Sequence, residues 1–122
     1  MSLRGLRVLI VEDEAIIALA IEDMLEELGC EAAGPALNLG EAQCLAQQER
    51  IDAAVLDINL AGRSSEPVAR LLHKRGVPFC FSTGYESADV PSGLETVPLL
   101  RKPYTSERLG EVLRALLSTR ST

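Results

Sequence analysis

Apolar residues come along this chain in two rhythms: short unbroken runs, and longer stretches where they return every three or four positions. The runs are Val8-Leu9-Ile10-Val11 after Arg7, Ala53-Ala54-Val55-Leu56, Pro78-Phe79-Cys80-Phe81 and Val97-Pro98-Leu99-Leu100. A short apolar run bounded by polar residues predicts a strand buried on both faces, as in a parallel sheet covered by helices. Behind the first run, Ile17, Ile21, Met24, Leu25 and Leu28 recur at helical spacing, with Glu22, Asp23, Glu26 and Glu27 on the other face and Gly29 as a stop. Val68, Leu71 and Leu72 predict a second such helix, entered through Ser64, Ser65 and Pro67 and ended by Gly76 and Pro78. The last helix has the clearest pattern, with Leu109, Val112, Leu113, Leu116 and Leu117 following the starter Ser106.

Two regions are less regular. Glu31-Ala32-Ala33-Gly34-Pro35 predicts a short, weakly signalled strand, before Asn38 and Glu41 start a helix carrying Ala42, Leu45 and Ala46 in the manner of a capping box. Between Thr83 and Lys102, where a crossover helix belongs, residues 85–96 show no apolar periodicity and contain Pro91 and Gly93. A short, irregular or mobile connection is expected there, since little apolar area offsets the entropy of ordering it. The stretch Ile58-Asn59-Leu60-Ala61-Gly62-Arg63 reads as a loop. Strands alternating with helices make one α/β domain.

Length and composition agree with this reading. The 122 residues, 47% of them apolar, suit one compact core, and no separate output domain is expected. A formal net charge of -6 and the lack of a basic run argue against nucleic-acid binding. No long apolar segment predicts a secretory signal or membrane span, so a cytoplasmic location is expected. Cys30, Cys44 and Cys80 are odd in number and lack CxxC spacing, so they are expected to be small apolar fillers, with Cys30 the most exposed. His73 sits beside Lys74 and Arg75 on the polar side of its helix, where complementing the helix terminus is the default role.

The candidate chemistry lies where the apolar runs stop. Glu12-Asp13, Asp57, Thr83 and Lys102-Pro103 each follow a predicted strand, and ligands gather at the carboxyl ends of parallel strands. Three carboxylates with one ammonium stay net negative, which calls for a divalent cation, and hard oxygen donors leaving room for water and phosphate oxygens suit Mg²⁺. Asp57, alone at its strand end, is the candidate nucleophile toward a phosphoryl group, with Glu12 and Asp13 as a metal-holding pair. A hydroxyl from Thr83 or the adjacent Ser82 and the Lys102 ammonium would hold phosphoryl oxygens. Taken singly, Glu12-Asp13 reads as a helix-start acidic pair, Asp57 as a loop cap and Lys102 as a surface lysine; their joint placement gives them weight.

Val11-Glu12-Asp13, Asp57-Ile58-Asn59, Thr83-Gly84 and Lys102-Pro103, in this order and spacing, resemble the receiver domain of bacterial two-component response regulators from about Leu6 to Leu117. The resemblance implies a flavodoxin-like fold, a five-stranded parallel sheet of order 2-1-3-4-5 with helices on both faces. It further implies Asp57 as phosphoacceptor, Asp13 as the main Mg²⁺ ligand assisted by Glu12 and the Asn59 carbonyl, and a cis bond between Lys102 and Pro103. Phe81-Ser82-Thr83-Gly84-Tyr85 is similar to a subgroup with a Phe-Ala-Thr-Gly signature and a nearby Tyr, many of whose members stand alone. From that motif Thr83 is the expected hydroxyl.

One departure concerns transmission. Most receivers carry an aromatic residue three places before the lysine, and here that place holds Leu99. Tyr85 is the nearby aromatic able to take over part of its role, which suggests ordering of residues 86–96 on phosphorylation. The functional expectation is a cytoplasmic, Mg²⁺-dependent phosphoacceptor rather than a turnover enzyme. Its expected partners are a histidine kinase or phosphotransfer protein and a downstream protein target; the sequence permits dimerisation through the final strand and helix without selecting it. The alternatives are an interaction module of the same fold working without phosphorylation, and a small phosphate-ester hydrolase. The hydrolase is disfavoured by the lack of a second Asp two residues after Asp57.

Overall fold

A computed structural model describes residues 2–48, 50–84 and 90–120, the last two without their side chains. Strand β1 (Arg7–Val11) leads into helix α1 (Ala15–Glu27), followed by β2 (Glu31–Ala36), α2 (Leu39–Ala46) and β3 (Ala53–Asp57). A short hairpin, β4 (Asn59–Leu60) and β5 (Arg63–Ser64), precedes α3 (Glu66–Arg75), and β6 (Phe79–Thr83), β7 (Leu99–Arg101) and α4 (Ser106–Arg120) complete the chain. The main sheet has the order β2-β1-β3-β6-β7 with every pairing parallel. This is the predicted 2-1-3-4-5 flavodoxin-like order, since the hairpin strands stand outside the main sheet.

Strand alternation divides the core into two layers. Leu9, Val11, Ala54, Leu56, Phe79 and Phe81 face α2 and α3, while Val8, Ile10, Val55, Cys80 and Leu100 face α1 and α4. Each helix contributes the residues its periodicity predicts: Ile21 and Leu25 from α1, Val68 and Leu72 from α3, and Leu109, Val112, Leu113, Leu116 and Leu117 from α4 are all buried. A buried leucine contributes about 2 kcal/mol relative to exposure, so α4 is held chiefly by this stripe. Thr105, rather than Ser106, caps it, its Oγ1 accepting from the Arg108 amide at 3.1 Å. On α2 the capping box forms one residue out of register. The Asn38 side chain accepts from the Glu41 amide at 2.9 Å, and the Glu41 carboxylate accepts from the Leu37 amide at 2.8 Å.

Other expectations are corrected. The stretch read as a loop after β3 contains the β4–β5 hairpin, whose two turn residues, Ala61 and Gly62, both have positive φ (50° and 87°). A two-residue hairpin needs that conformation, and glycine takes it at no steric cost. β2 runs to Ala36 through a cis Gly34–Pro35 bond and an irregular register against β1. Gly34 is held there by close approach, because a Cβ would lie 2.7 Å from the Ala36 amide nitrogen. Among the cysteines, Cys44 is the exposed one. Cys30 is half-buried, its thiol donating to the Leu3 carbonyl.

Between β6 and β7, residues 90–98 form turns with no helix, as expected; residues 85–89, including Tyr85, lie outside the described residues. The described part is better packed than its composition suggested. Leu94 is 3% exposed in the core, and Val90 and Val97 pack against the same cluster. Apolar anchoring replaces helical hydrogen bonding here. Leu94→Ala is therefore expected to lower the unfolding free energy in urea by about 2–4 kcal/mol. A loss below about 1 kcal/mol, ordinary for a surface change, would show that the segment is not anchored there.

Candidate functional site

β1 and β3 lie side by side in register, Val11 beside Leu56, so the residues that follow β1 sit against the last residue of β3. Glu12 and Asp13 thereby meet Asp57, and one carboxylate oxygen from each lies within 4.8 Å of the others. Glu12 is fully buried and Asp57 is 9% exposed. Two strands further on, β7 ends at Arg101 and the cis Lys102–Pro103 bond follows, as the resemblance implied. The Lys102 amide donates to the Thr83 carbonyl at 2.8 Å, tying the lysine backbone to the end of β6. Its ammonium then lies 2.8 Å from Glu12 Oε1 and 3.0 Å from Asp57 Oδ2.

The remaining oxygens have backbone donors. Glu12 Oε2 accepts from the Glu14 amide at 3.1 Å, and Asp57 Oδ1 accepts from the Asn59 amide at 3.3 Å. Asn59 is placed beside Asp57 by the hairpin, and its own side chain braces the turn by accepting from the Gly62 amide. Burial pushes the Glu12 carboxyl above its usual range, and the Asp57 carboxylate adds to this while Lys102 and the Glu14 amide oppose it. Burial alone would lower the Lys102 pKa, but its bonds to Glu12 and Asp57 outweigh burial and hold it above the ordinary value. The Glu12 shift reports mainly burial, and the Lys102 shift reports its two carboxylate partners.

Three carboxylates against one ammonium leave two formal negative charges in a partly dry pocket. That donor set fits a hard divalent cation: all-oxygen, few in number, and open on the side of the half-buried Asp13. Glu12, Asp13 and Asp57 are brought together as the sequence suggested, and Asn59 stands beside them.

The two hydroxyls ending β6 part company. Ser82 follows the parity of Cys80 toward the α1 and α4 side, whereas Thr83 follows Phe81 toward the other. Thr83 is 4% exposed and borders a cavity of about 410 Å³ shared with Leu99, Arg101 and Arg108. Leu99, where most receivers place an aromatic ring, is 37% exposed. Beyond Asp13, α1 presents Ile16 and Leu19 to solvent at 83% and 58%. The sequence reading missed Tyr104, whose phenol is pushed up to about 12, mainly by burial. Its signal was available: an aromatic directly after Lys102-Pro103 in a chain with only two tyrosines and two phenylalanines. His73 is exposed in the last turn of α3, away from the strand ends.

Comparison with known proteins agrees with this geometry. The solution structure of SdrG from Sphingomonas melonis Fr1 superposes with a TM-score of 0.84 at 41% identity, covering 96% of this chain and 99% of that one. A second SdrG structure, of a BeF3-activated conformation, matches with a TM-score of 0.77 at 40% identity, covering 91% of this chain and 95% of that one. The phyllosphere-induced regulator PhyR of Methylorubrum extorquens is 33% identical over 115 residues, 90% of this chain and 43% of its own length. The transcriptional regulatory protein PdtaR of Mycobacterium tuberculosis is 33% identical over 85 residues, 69% of this chain and 42% of its own. The chain thus spans less than half the length of these two curated relatives. Residues 8–114 match the model of the response regulator receiver domain, and the chain belongs to that family.

Proposed function

We propose that this chain accepts a phosphoryl group on Asp57 from a histidine kinase or phosphotransfer protein, in a Mg²⁺-dependent reaction, and signals by contact with a downstream protein. The observation that carries the reading is the Lys102 ammonium held between Asp57 and the buried Glu12. A domain that only bound partners would have no use for a buried ion pair beside two further carboxylates, since such pairs contribute little net stability.

In this reading a carboxylate oxygen of Asp57 forms a bond to phosphorus as the donor's phosphorus–nitrogen bond breaks, and the leaving imidazole keeps the electron pair. Lys102 turns from Glu12 toward a phosphoryl oxygen, and the Thr83 hydroxyl donates to another. Glu12, Asp13, Asp57 and the Asn59 carbonyl would hold Mg²⁺, which when bound neutralises charge on the transferred oxygens. The SdrG relative has been captured in a BeF3-activated conformation, and trifluoroberyllate resembles a phosphoryl group on a carboxylate in size and charge. A protein donor also suits the exposed Ile16 and Leu19, which lie on α1, the helix that follows the acidic pair. Among the described residues no helix is long and apolar enough to cross a membrane, in keeping with action in the cytoplasm.

With Mg²⁺ and acetyl phosphate, intact-mass spectrometry is expected to show one phosphoryl adduct on the parent chain and none on Asp57→Ala. An unmodified parent under these conditions favours the interaction module. A parent that instead hydrolyses many phosphate esters rapidly favours a hydrolase.

The ion pair makes a second prediction, for the metal-free chain. Glu12 titrates above 4.5 in the fold, so the folded chain binds more protons than the unfolded one just above that pH, and stability falls as pH rises through the window. Lys102 stays charged throughout this range and restrains the effect. Lys102→Met leaves Glu12 buried without its counter-ion. It is expected to lose about 2–3 kcal/mol at neutral pH, somewhat less than the roughly 3–5 kcal/mol of a fully buried pair because the lysine is partly solvated. Denaturation at pH 7 and again near the ordinary carboxylate range checks it: the deficit should shrink on acidification, and a deficit independent of pH would contradict this role of Lys102.

A further inference from the structure

Asn59 belongs to the site through its backbone and to the β4–β5 hairpin through its side chain. Across the two-residue turn Asn59 pairs with Ser64 and Leu60 with Arg63. The Ser65 amide donates to the Ile58 carbonyl at 2.9 Å, so Asn59 and Ser64 are the pair that exchanges no hydrogen bond across the hairpin. Both backbone groups of Asn59 therefore point away from β5. The amide donates to Asp57 Oδ1 at 3.3 Å, and an extended residue turns its carbonyl to the same side as its amide, here the side of Asp57.

The side chain is engaged elsewhere. Its Oδ1 accepts from the Gly62 amide at 2.7 Å, a shorter bond than the one the backbone makes to Asp57. That bond matters because the turn is poorly served by its own residues. Both turn positions have positive φ, and Asn-Gly is the pair that takes this shape most readily. Here the first position holds Ala61, at φ 50°, a conformation that alanine rarely adopts. Burial does not hold the turn, since Ala61, Gly62 and Arg63 are exposed; the anchors Ile58 and Leu60 lie before it, at 4% and 2% exposure. The Asn59 side chain thus closes a turn that Ala61 disfavours, and in closing it fixes the peptide that carries the Asn59 carbonyl.

We infer that the Asn59 side chain, bonded across the Ala61-Gly62 turn, is a brace that positions the Asn59 carbonyl toward a divalent cation held by Glu12, Asp13 and Asp57, and so sets the affinity for that cation. In this respect Asn59 is a positioning residue, because its side chain acts through the turn and not on the cation or the transferred group. The inference rests on the metal site of the reading above and adds to it the hairpin turn, which lies outside the strand-end motifs.

The test measures Mg²⁺ binding from backbone amide resonances of the isotope-labelled, metal-free chain, for the parent, Asn59→Ala, Ala61→Asn and the double variant. Asn59→Ala is expected to weaken binding about fivefold, and Ala61→Asn alone to bind at least as well as the parent. Adding Ala61→Asn to Asn59→Ala should bring the affinity back to within about twofold of the parent, because an Asn-Gly turn closes without the brace. A side chain acting directly on the cation or its water shell would not be rescued from Ala61. A double variant as weak as Asn59→Ala therefore overturns the inference, as does Asn59→Ala binding within about twofold of the parent or a loss of affinity in Ala61→Asn. Thermal midpoints establish that the variants fold, and a merely structural loss would move them without this pattern of affinities. A parent with no saturable Mg²⁺ response overturns the metal site and the inference with it. A parent that binds Mg²⁺ but takes no phosphoryl group from acetyl phosphate overturns the phosphoacceptor reading alone.

Discussion

The Lys102 ammonium, 2.8 Å from Glu12 and 3.0 Å from Asp57, is the interaction on which the site depends. Parallel pairing of β1 with β3 forces Glu12, Asp13 and Asp57 to one edge, and burial removes much of the water that would screen their repulsion. A single ammonium reduces that repulsion without cancelling it. The cluster is thus stable enough to fold and still deficient in positive charge, a condition that favours a divalent cation.

Under the proposed function, the sheet also separates capture from transmission. Glu12 and Asp13 directly follow the central strand β1 and Asp57 ends its neighbour β3, where both core layers hold the backbone. Thr83, Leu99 and Lys102 belong to β6, to the edge strand β7 and to the segment following it, beside a connection that lacks a helix among its described residues. Cavity space next to Thr83 and an exposed Leu99 replace the usual aromatic ring.

Much of this was legible in the sequence, for physical reasons. Helices α1, α3 and α4 bury one face against a sheet, so their leucines and isoleucines had to recur at helical spacing. Strands β1, β3 and β6 are covered on both faces, so they had to read as unbroken apolar runs. The strand-end chemistry was legible because those runs stop at Glu12, Asp57 and Thr83. What escaped depended on backbone geometry or distant contacts: the Ala61-Gly62 turn, the cis Gly34–Pro35 bond in β2, and the capping of α4 by Thr105. Leu94 shows the limit of periodicity, since one well-buried leucine anchors a segment without making any pattern. Cys30 and Cys44 exchanged their expected exposure because the Leu3 carbonyl covers the Cys30 thiol. Tyr104 was passed over because an aromatic after a proline looks like ordinary packing until its hydroxyl is found buried.

The claim that the strand-end cluster is a charge-deficient site completed by a divalent cation is tested most directly by titrating the isotope-labelled, metal-free chain with Mg²⁺. Backbone amide resonances are predicted to shift in one saturable transition centred on Asp13, Asp57 and Asn59, and Asp13→Asn to weaken that binding strongly. Shifts that never saturate, or an identical response in Asp13→Asn, would contradict it.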